Sequence, residues 1–436
     1  MKQIKSCCVR YFLLVLSMGL LAAAPAHAQE LHIKITQSSD QAIPVAIVPF
    51  AGADGVPEDV AKIASEDLET TGLFAVLPRD RMLATPHSAD EIVPANWRAV
   101  DTDNVVVGTI EDNGQGGYSI RFEIVNVYRG ETLAGYEINA SRAEMRKAAH
   151  ALANLVYEQL TGEKGYFLSR IAYVAVTDNG GAGRYELVVA DFDGHNPATI
   201  YSSPDPVMSP AWSPNGKYIA YVAFDVNRGL ATMRVQEVAT GEVQEISSRQ
   251  GINGAPAWSP DGSRIAMTLS YEGNPDIYIY DLRSKQPTKF THDSAIDTEA
   301  TWSPDGRYIA FTSDRGGQPQ IYRKAVSGGQ AERLTFTGRS SQDAVYAPNG
   351  EQLAFVDKGP NGYRIAIKDL DSGDVRVVTN GPLDESPDFA PNGQTIIYAT
   401  QGRQNALATV TVDGEVHTRL SQRGKVREPS WEPLQN

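Results

Sequence analysis

One phrase returns along the C-terminal part of the chain, and its period dictates what the chain can fold into. Pro210-Ala-Trp212-Ser-Pro-Asn-Gly216 precedes Ile219-Ala-Tyr221, and Pro256-Ala-Trp258-Ser-Pro-Asp-Gly262 precedes Ile265-Ala-Met267. Ala300-Thr-Trp302-Ser-Pro-Asp-Gly306 then leads to Ile309-Ala-Phe311. Looser copies follow at Tyr346-Ala-Pro-Asn-Gly350 and Phe389-Ala-Pro-Asn-Gly393, and a truncated one, Pro429-Ser-Trp431-Glu-Pro433, comes last. The aromatic falls at 212, 258, 302, 346, 389 and 431, at intervals of 42 to 46 residues. That is the period of a four-stranded propeller blade.

The chemistry of the phrase supports the same reading. Proline presets φ at the first corner of a hairpin, Asp or Asn tolerates the second, and glycine takes the left-handed position before the next strand. The Ile-Ala-aromatic strand alternates large and small side chains, so its alanine is expected where neighbouring blades approach closely. Residues 171–201 contain three strands but lack the Trp-Ser-Pro-Asp-Gly strand, whereas the Trp431 strand has no blade of its own. Joining the two completes six blades and closes the ring. Closure leaves no sheet edge on which another copy could stack, and a monomer is expected.

The first residues read as an export signal. Lys2, Lys5 and Arg10 precede an apolar run from Tyr11 to Ala24, and Ala26-His27-Ala28 offers the small residues of a cleavage site between Ala28 and Gln29. The run is short for a membrane span, so no membrane insertion of the mature chain is expected. Cys7 and Cys8, the only cysteines, both lie in this leader. Its removal takes three basic residues and no acid, shifting the formal charge from −14 to −17. Such a surface repels phosphate backbones and anionic headgroups, which argues against nucleic acid and favours protein or cationic partners.

Residues 29–165 are expected to form a small α/β domain ahead of a propeller over 166–436. Leu31, Ile33 and Ile35 alternate as a short strand, and further strands are predicted at Val45 to Phe50, Val105 to Ile110, Ile120 to Val127 and Leu133 to Ile138. One helix is predicted from Pro57 to Gly72, and another from the Ser141/Glu144 capping box to Leu160.

Catalytic signals are thin. No Gly-x-Ser-x-Gly elbow occurs, and the histidines at 32, 87, 150, 195, 292 and 417 are dispersed, each reading as a surface or turn residue. Neither a metal nor a cofactor is expected. A propeller enzyme such as a metal-assisted lyase, or a gating propeller for a separate peptidase, stands as the alternative. The informative cluster lies just ahead of the innermost strand of each blade. It comprises Asn253-Gly254-Ala255, Asp297-Thr298-Glu299, Gln342-Asp343, Asp384-Glu385 and Arg427-Glu428. Each acid alone reads as a solvated loop residue. Together, six carboxylates from four blades are expected to form one rim at the channel mouth, suited to a basic or hydrogen-bond-donating partner or to a weakly held cation.

An export leader, a small α/β domain and six Trp-Ser-Pro-Asp/Asn-Gly blades closed by the C-terminus together resemble the TolB family of the Gram-negative Tol–Pal system. The segments 253–262 and Thr312-Ser-Asp-Arg-Gly-Gly-Gln-Pro-Gln-Ile-Tyr322 carry the likeness most strongly, with Asp384-Glu385 ahead of Ala390-Pro-Asn-Gly393. The resemblance implies a non-enzymatic periplasmic scaffold that maintains outer-membrane integrity and constriction at division. It implies that the lipoprotein Pal binds at the channel mouth, through positions falling on Asn253, Gly254, Ala255 and Thr298, within the acidic rim. It also implies that TolA engages the mature N-terminus, which falls on Gln29, Glu30, Leu31, His32, Ile33, Lys34, Ile35 and Thr36. The alternation there suits a peptide that adds a strand to a partner's sheet edge.

Overall fold

The computed structural model describes residues 42–178, 183–336, 338–402, 405–420 and 424–434. The leader, the Ala28/Gln29 cleavage pair and the strand expected at Leu31 to Ile35 lie outside the described residues. The N-terminal region is a five-stranded mixed sheet of β1 (Ile43–Ile47), β2 (Phe74–Val76), β3 (Asn104–Asp112), β4 (Gly117–Asn126) and β5 (Glu131–Ser141). Its order is β2-β1-β3-β4-β5, with β1 parallel to both neighbours and the other pairs antiparallel. Helix α1 (Val60–Glu69) begins later than Pro57, because the Asp59 carboxylate accepts the Lys62 N–H at 3.0 Å and caps it there. A short α2 spans Pro94–Arg98, and α3 runs over Met145–Thr161. The Ser141/Glu144 capping box forms just ahead of α3, and Gly162 ends it at φ +79°.

The central strands β1 and β3 are buried on both faces, which their patterning explains. Val45, Ile47 and Val106 point toward Leu68 of α1 and Ala149, Leu152 and Val156 of α3. The alternate residues Ala46, Val48, Val105 and Val107 pack under Trp97 of α2.

The second part is six four-stranded sheets around a ring. The innermost strands are Val207–Trp212, Asn253–Trp258, Asp297–Trp302, Ser341–Tyr346, Asp384–Phe389 and Lys425–Trp431, and they define blades one to six in that order. The alanines sit where the alternation places them. Ala172 packs with Trp212 and Tyr221 of the next blade, Ala266 with Trp302 and Phe311, and Ala310 with Tyr346 and Phe355. The indoles add a polar tie across the same seams: Trp258 Nε1 donates to the Ala211 carbonyl at 3.1 Å and Trp302 Nε1 to Ala257 at 3.2 Å. In the hairpins, Ser259 Oγ donates to Asp261 and receives the Arg264 N–H, and Ser303 does the same with Asp305 and Tyr308. Blades four and five have Ala347 and Ala390 in place of that serine and keep only the Asn349 and Asn392 turn bonds, to Glu351 and Gln394.

Closure is made by the last strand. Lys425–Trp431 runs antiparallel to Arg170–Asp178, pairing Trp431 with Ile171 and Lys425 with Val176. Glu432 then receives three bonds from Arg170: the backbone N–H at 2.9 Å, Nε at 2.9 Å and Nη2 at 2.6 Å. The same guanidinium bonds the Gly216 carbonyl and lies 4.7 Å from the Trp212 ring, so one arginine ties blade six to blade one.

This clasp predicts that Glu432→Gln lowers stability by about 2 kcal/mol, since a charge-assisted pair to a buried carboxylate is weakened. A urea midpoint indistinguishable from that of the unaltered chain would contradict the clasp.

Candidate binding site

The channel mouth is shaped by one irregularity repeated in every blade. Each inner strand carries one residue more than its neighbour needs, seen as a register shift between Gly254 and Ala257, Thr298 and Thr301, Gln342 and Val345, Glu385 and Asp388, and Arg427 and Ser430. In blade one the same step separates Met208 from Ala211. The residue three positions before the aromatic is left-handed in all six: Ser209 (φ 52°), Ala255 (47°), Glu299 (54°), Asp343 (52°), Ser386 (52°) and Glu428 (49°). None is glycine, so each bulge holds strain of roughly 1–2 kcal/mol. The surrounding sheet enforces it six times at one level of the ring.

Acids at these bulges bridge the blades. Glu299 Oε2 accepts the Asp343 backbone N–H at 2.9 Å and the Thr312 hydroxyl at 2.7 Å. Glu428 Oε2 accepts the Ser209 N–H in the same way across the closing seam. Asp388 receives the Trp431 N–H at 2.7 Å on one oxygen and the Phe389 N–H at 2.9 Å on the other. These carboxylates are struts as well as surface charges.

The expected rim of six carboxylates divides into two sets. Asp297 and Asp384 open the inner strands and are buried. Arg315 Nη2 grips both oxygens of Asp297 at 3.0 and 2.9 Å, and Asp384 accepts the Gly381 N–H at 2.9 Å. Asn253 occupies the equivalent place in blade two, buried and bonded to Ser247 and Arg249. A single ring of six free acids is therefore corrected. The chain position ahead of an inner strand supplies loop anchors, and the bulge supplies the channel charge. Gly254, Ala255, Thr298, Glu299, Gln342, Asp343 and Glu385 keep part of their surface exposed. Residues Gln29 to Thr36 lie outside the described residues.

The channel acids repel one another. Burial raises Asp343 well above the ordinary carboxylate range, and the charges of Glu299, Glu428, Asp388 and Glu385 add to it. Burial lifts Asp388 to about 6, against the N–H bonds from Trp431 and Phe389, and raises Glu385 and Glu428 in the same direction. Asp388 was not anticipated from the sequence. Its signal is there, however: the residue before the aromatic is Ala211, Ala257, Thr301, Val345 or Ser430 in the other copies.

Apolar side chains collar the acids. Ile252 and Ile296, directly ahead of the inner strands of blades two and three, are 46 and 48 % exposed, whereas Phe336 sits by Arg333 of the outermost strand of blade three. Phe224, near the end of the Tyr218–Asp225 strand, and Val226, just beyond it, lie at the end of blade one where its inner strand begins, the Phe224 N–H bonding the Pro206 carbonyl at 2.9 Å. Exposed apolar anchors around a charged centre are the anatomy of a protein-binding surface.

One histidine departs from its surface assignment. His150 of α3 is 2 % exposed, with Nδ1 2.7 Å from Asp67 Oδ2 and Nε2 3.6 Å from Asp193 Oδ2. The two carboxylates address opposite ring nitrogens, and Arg146 also bonds Asp193, so the four side chains form one charge cluster. Among the described residues no helix is long and apolar enough to cross a membrane.

Fold and site together define a six-bladed propeller carrying an N-terminal α/β region, with a strained, acid-lined mouth. The comparisons make this specific. The model of the TolB beta propeller domain matches residues 157–435, and that of the TolB amino-terminal domain matches residues 31–133. The Tol-Pal system protein TolB of Methylococcus capsulatus is 48% identical, over 96% of this chain and 98% of its own. That of Alcanivorax borkumensis is 45% identical, over 97% and 96%. The crystal structure of TolB from Acinetobacter baumannii superposes with a TM-score of 0.84 at 38% identity, covering 93% of this chain and all of that one. The chain belongs to the TolB family.

The raised channel acids carry a pH sign. The folded state binds protons more readily than the unfolded chain, so their contribution is favourable in acid and is lost as pH rises through the folded values. Asp343→Asn, which removes one charge from the cluster, is expected to stabilise the chain at pH ~8 by more than at pH ~5. Urea unfolding at both pH values measures this; an equal effect at the two would contradict the repulsion.

Proposed function

We propose that the chain is a non-enzymatic periplasmic scaffold of the Tol–Pal system, cleaved after Ala28 and divided into an α/β domain over 29–165 and a propeller over 166–436. In this reading the lipoprotein Pal seats on the channel mouth, and TolA takes the mature N-terminus from Gln29 to Thr36. By holding both, the chain maintains outer-membrane integrity and its constriction during division.

The observation that carries the reading is the combination at the mouth. Gly254, Ala255, Thr298 and Gln342 offer small or uncharged partly exposed positions on strained, fixed backbone, beside the acids at 299, 343 and 385 and the isoleucines at 252 and 296. Rigid backbone lowers the entropic cost of association, the apolar collar supplies buried area, and the acids select a donor-rich partner. Family membership supports partners within the Tol–Pal system, since the relatives are named for that system.

Introducing a long cation at the centre of this surface tests the site. Ala255→Arg or Thr298→Arg is expected to abolish capture of purified Pal while leaving the thermal transition in place. Ala255 already holds φ 47° with a Cβ, so a longer side chain adds little backbone strain there. Undiminished capture by both variants would remove the mouth as the Pal site.

A further inference from the structure

The seam between the α/β region and the ring is mostly apolar, which makes its one buried charge cluster conspicuous. Tyr166, Phe167, Phe192 and Trp431 pack ring to ring across it. Among the side chains that α3 extends into this seam are Arg146 and His150. Arg146 Nη2 bonds Asp193, in the turn after the Gly183–Asp191 strand, and lies 2.9 Å from His195 Nδ1, while its Nη1 is 3.9 Å from Glu58. One turn further along the helix, His150 stands between Asp67 of α1 and Asp193 of the propeller, edge-on to Phe192 at 5.2 Å. A cavity of ≈180 Å³ opens beside them, lined also by Glu66, Tyr166 and Arg419.

We propose that Arg146 and His150 form a proton-operated latch that holds the α/β region against the propeller, engaged when the imidazole is charged and weakened when it is neutral.

Charge balance among buried side chains separates the two states. With His150 protonated, two cations face Asp67 and Asp193, and each buried carboxylate has a partner. With His150 neutral, the hydrogen bond that Arg146 gives the pair goes to Asp193 and not to Asp67. Asp67 then keeps a hydrogen bond from Nδ1 but loses the opposing charge. Leaving a buried charge uncompensated is costly, whereas an opened seam admits water to it. Of the other groups around the pair, Glu58 and Glu66 add negative charge, the phenol of Tyr166 is uncharged, His195 lies on Arg146's side of Asp193, and Arg419 lines the cavity beside them as a further cation.

The titration runs in the required direction. Burial depresses the His150 imidazole, but Asp67 and then Asp193 outweigh it and hold it above its ordinary value. Burial lifts Asp67 to about 6 against the pull of His150. Both groups bind protons more readily in the closed seam than in water. The closed form is therefore favoured in mild acid, and the advantage is lost as pH rises through the closed-state values.

Amide hydrogen exchange on the full chain, corrected for the intrinsic pH dependence of exchange, tests the latch. Between pH ~5.5 and pH ~8.5, protection of α3 and of the Asp191 to His195 turn is expected to fall about tenfold. Blade three serves as the internal control and should not change. His150→Gln should show the low protection at both pH values. The same pH profile in that variant, or a flat profile in the unaltered chain, would overturn the proposal. The imidazole resonance of His150 in the unaltered chain is a second check that needs no variant. It is expected to titrate above the ordinary imidazole value of about 6.5, and a midpoint at or below that value would also overturn the latch.

Discussion

The structure depends on the pairing of one strand, Lys425–Trp431, with another that begins at Arg170. Each blade buries only part of its apolar surface within itself. Its alanine face needs the aromatic face of the following blade, as Ala172 needs Trp212 and Tyr221. An open array would leave one such face bare at each end. The closing strand removes both ends at once, and the buried Glu432 carboxylate with the Arg170 guanidinium locks the join. Trp431 also packs on Tyr166, at the junction that follows the N-terminal region, at 5.5 Å. Closure therefore fixes the ring and the seat of the second region with the same few side chains.

A closed ring brings six inner strands together at a single axis, and crowding there explains the bulges. The extra residue lets each strand turn at the channel, at the expense of a left-handed non-glycine residue. At least two of the N–H groups turned out of their sheets, those of Asp343 and Ser209, are received by Glu299 and Glu428 of the neighbouring blade. The acidity of the mouth thus has a structural cause before it has a functional one. What remains exposed, with the isoleucines at 252 and 296 beside it, is available for recognition.

Much of this was legible in the sequence, for identifiable reasons. The Trp-Ser-Pro-Asp/Asn-Gly copies are local chemistry, with turn, strand and seam residues all inside a dozen positions. Six blades and the role of Trp431 followed from them, and the capping box at Ser141 and the stop at Gly162 are equally local. The late start of α1 was missed because Asp59 caps it from within a stretch that Pro57 appeared to open. Strand β2 is too short for alternation to register. The division of the rim acids was not legible, because Asp297 meets Arg315, eighteen residues away, only across two paired strands. His150 looked like a surface residue because its partners, Asp67 and Asp193, come from elements that meet only after the ring has closed. Pairings set by tertiary contact leave no spacing to read.

The central claim is that a closed ring presents its bulged, acid-lined mouth as the binding face. The most direct measurement is a hydrogen-exchange footprint of Pal on the intact chain. The account predicts protection concentrated at 252–256, 296–300, 342–343 and 385–386, with the Ser-Pro-Asp/Asn-Gly hairpins at the other end unchanged. Protection on those hairpins or on the outer strands, with the mouth exchanging freely, would contradict it.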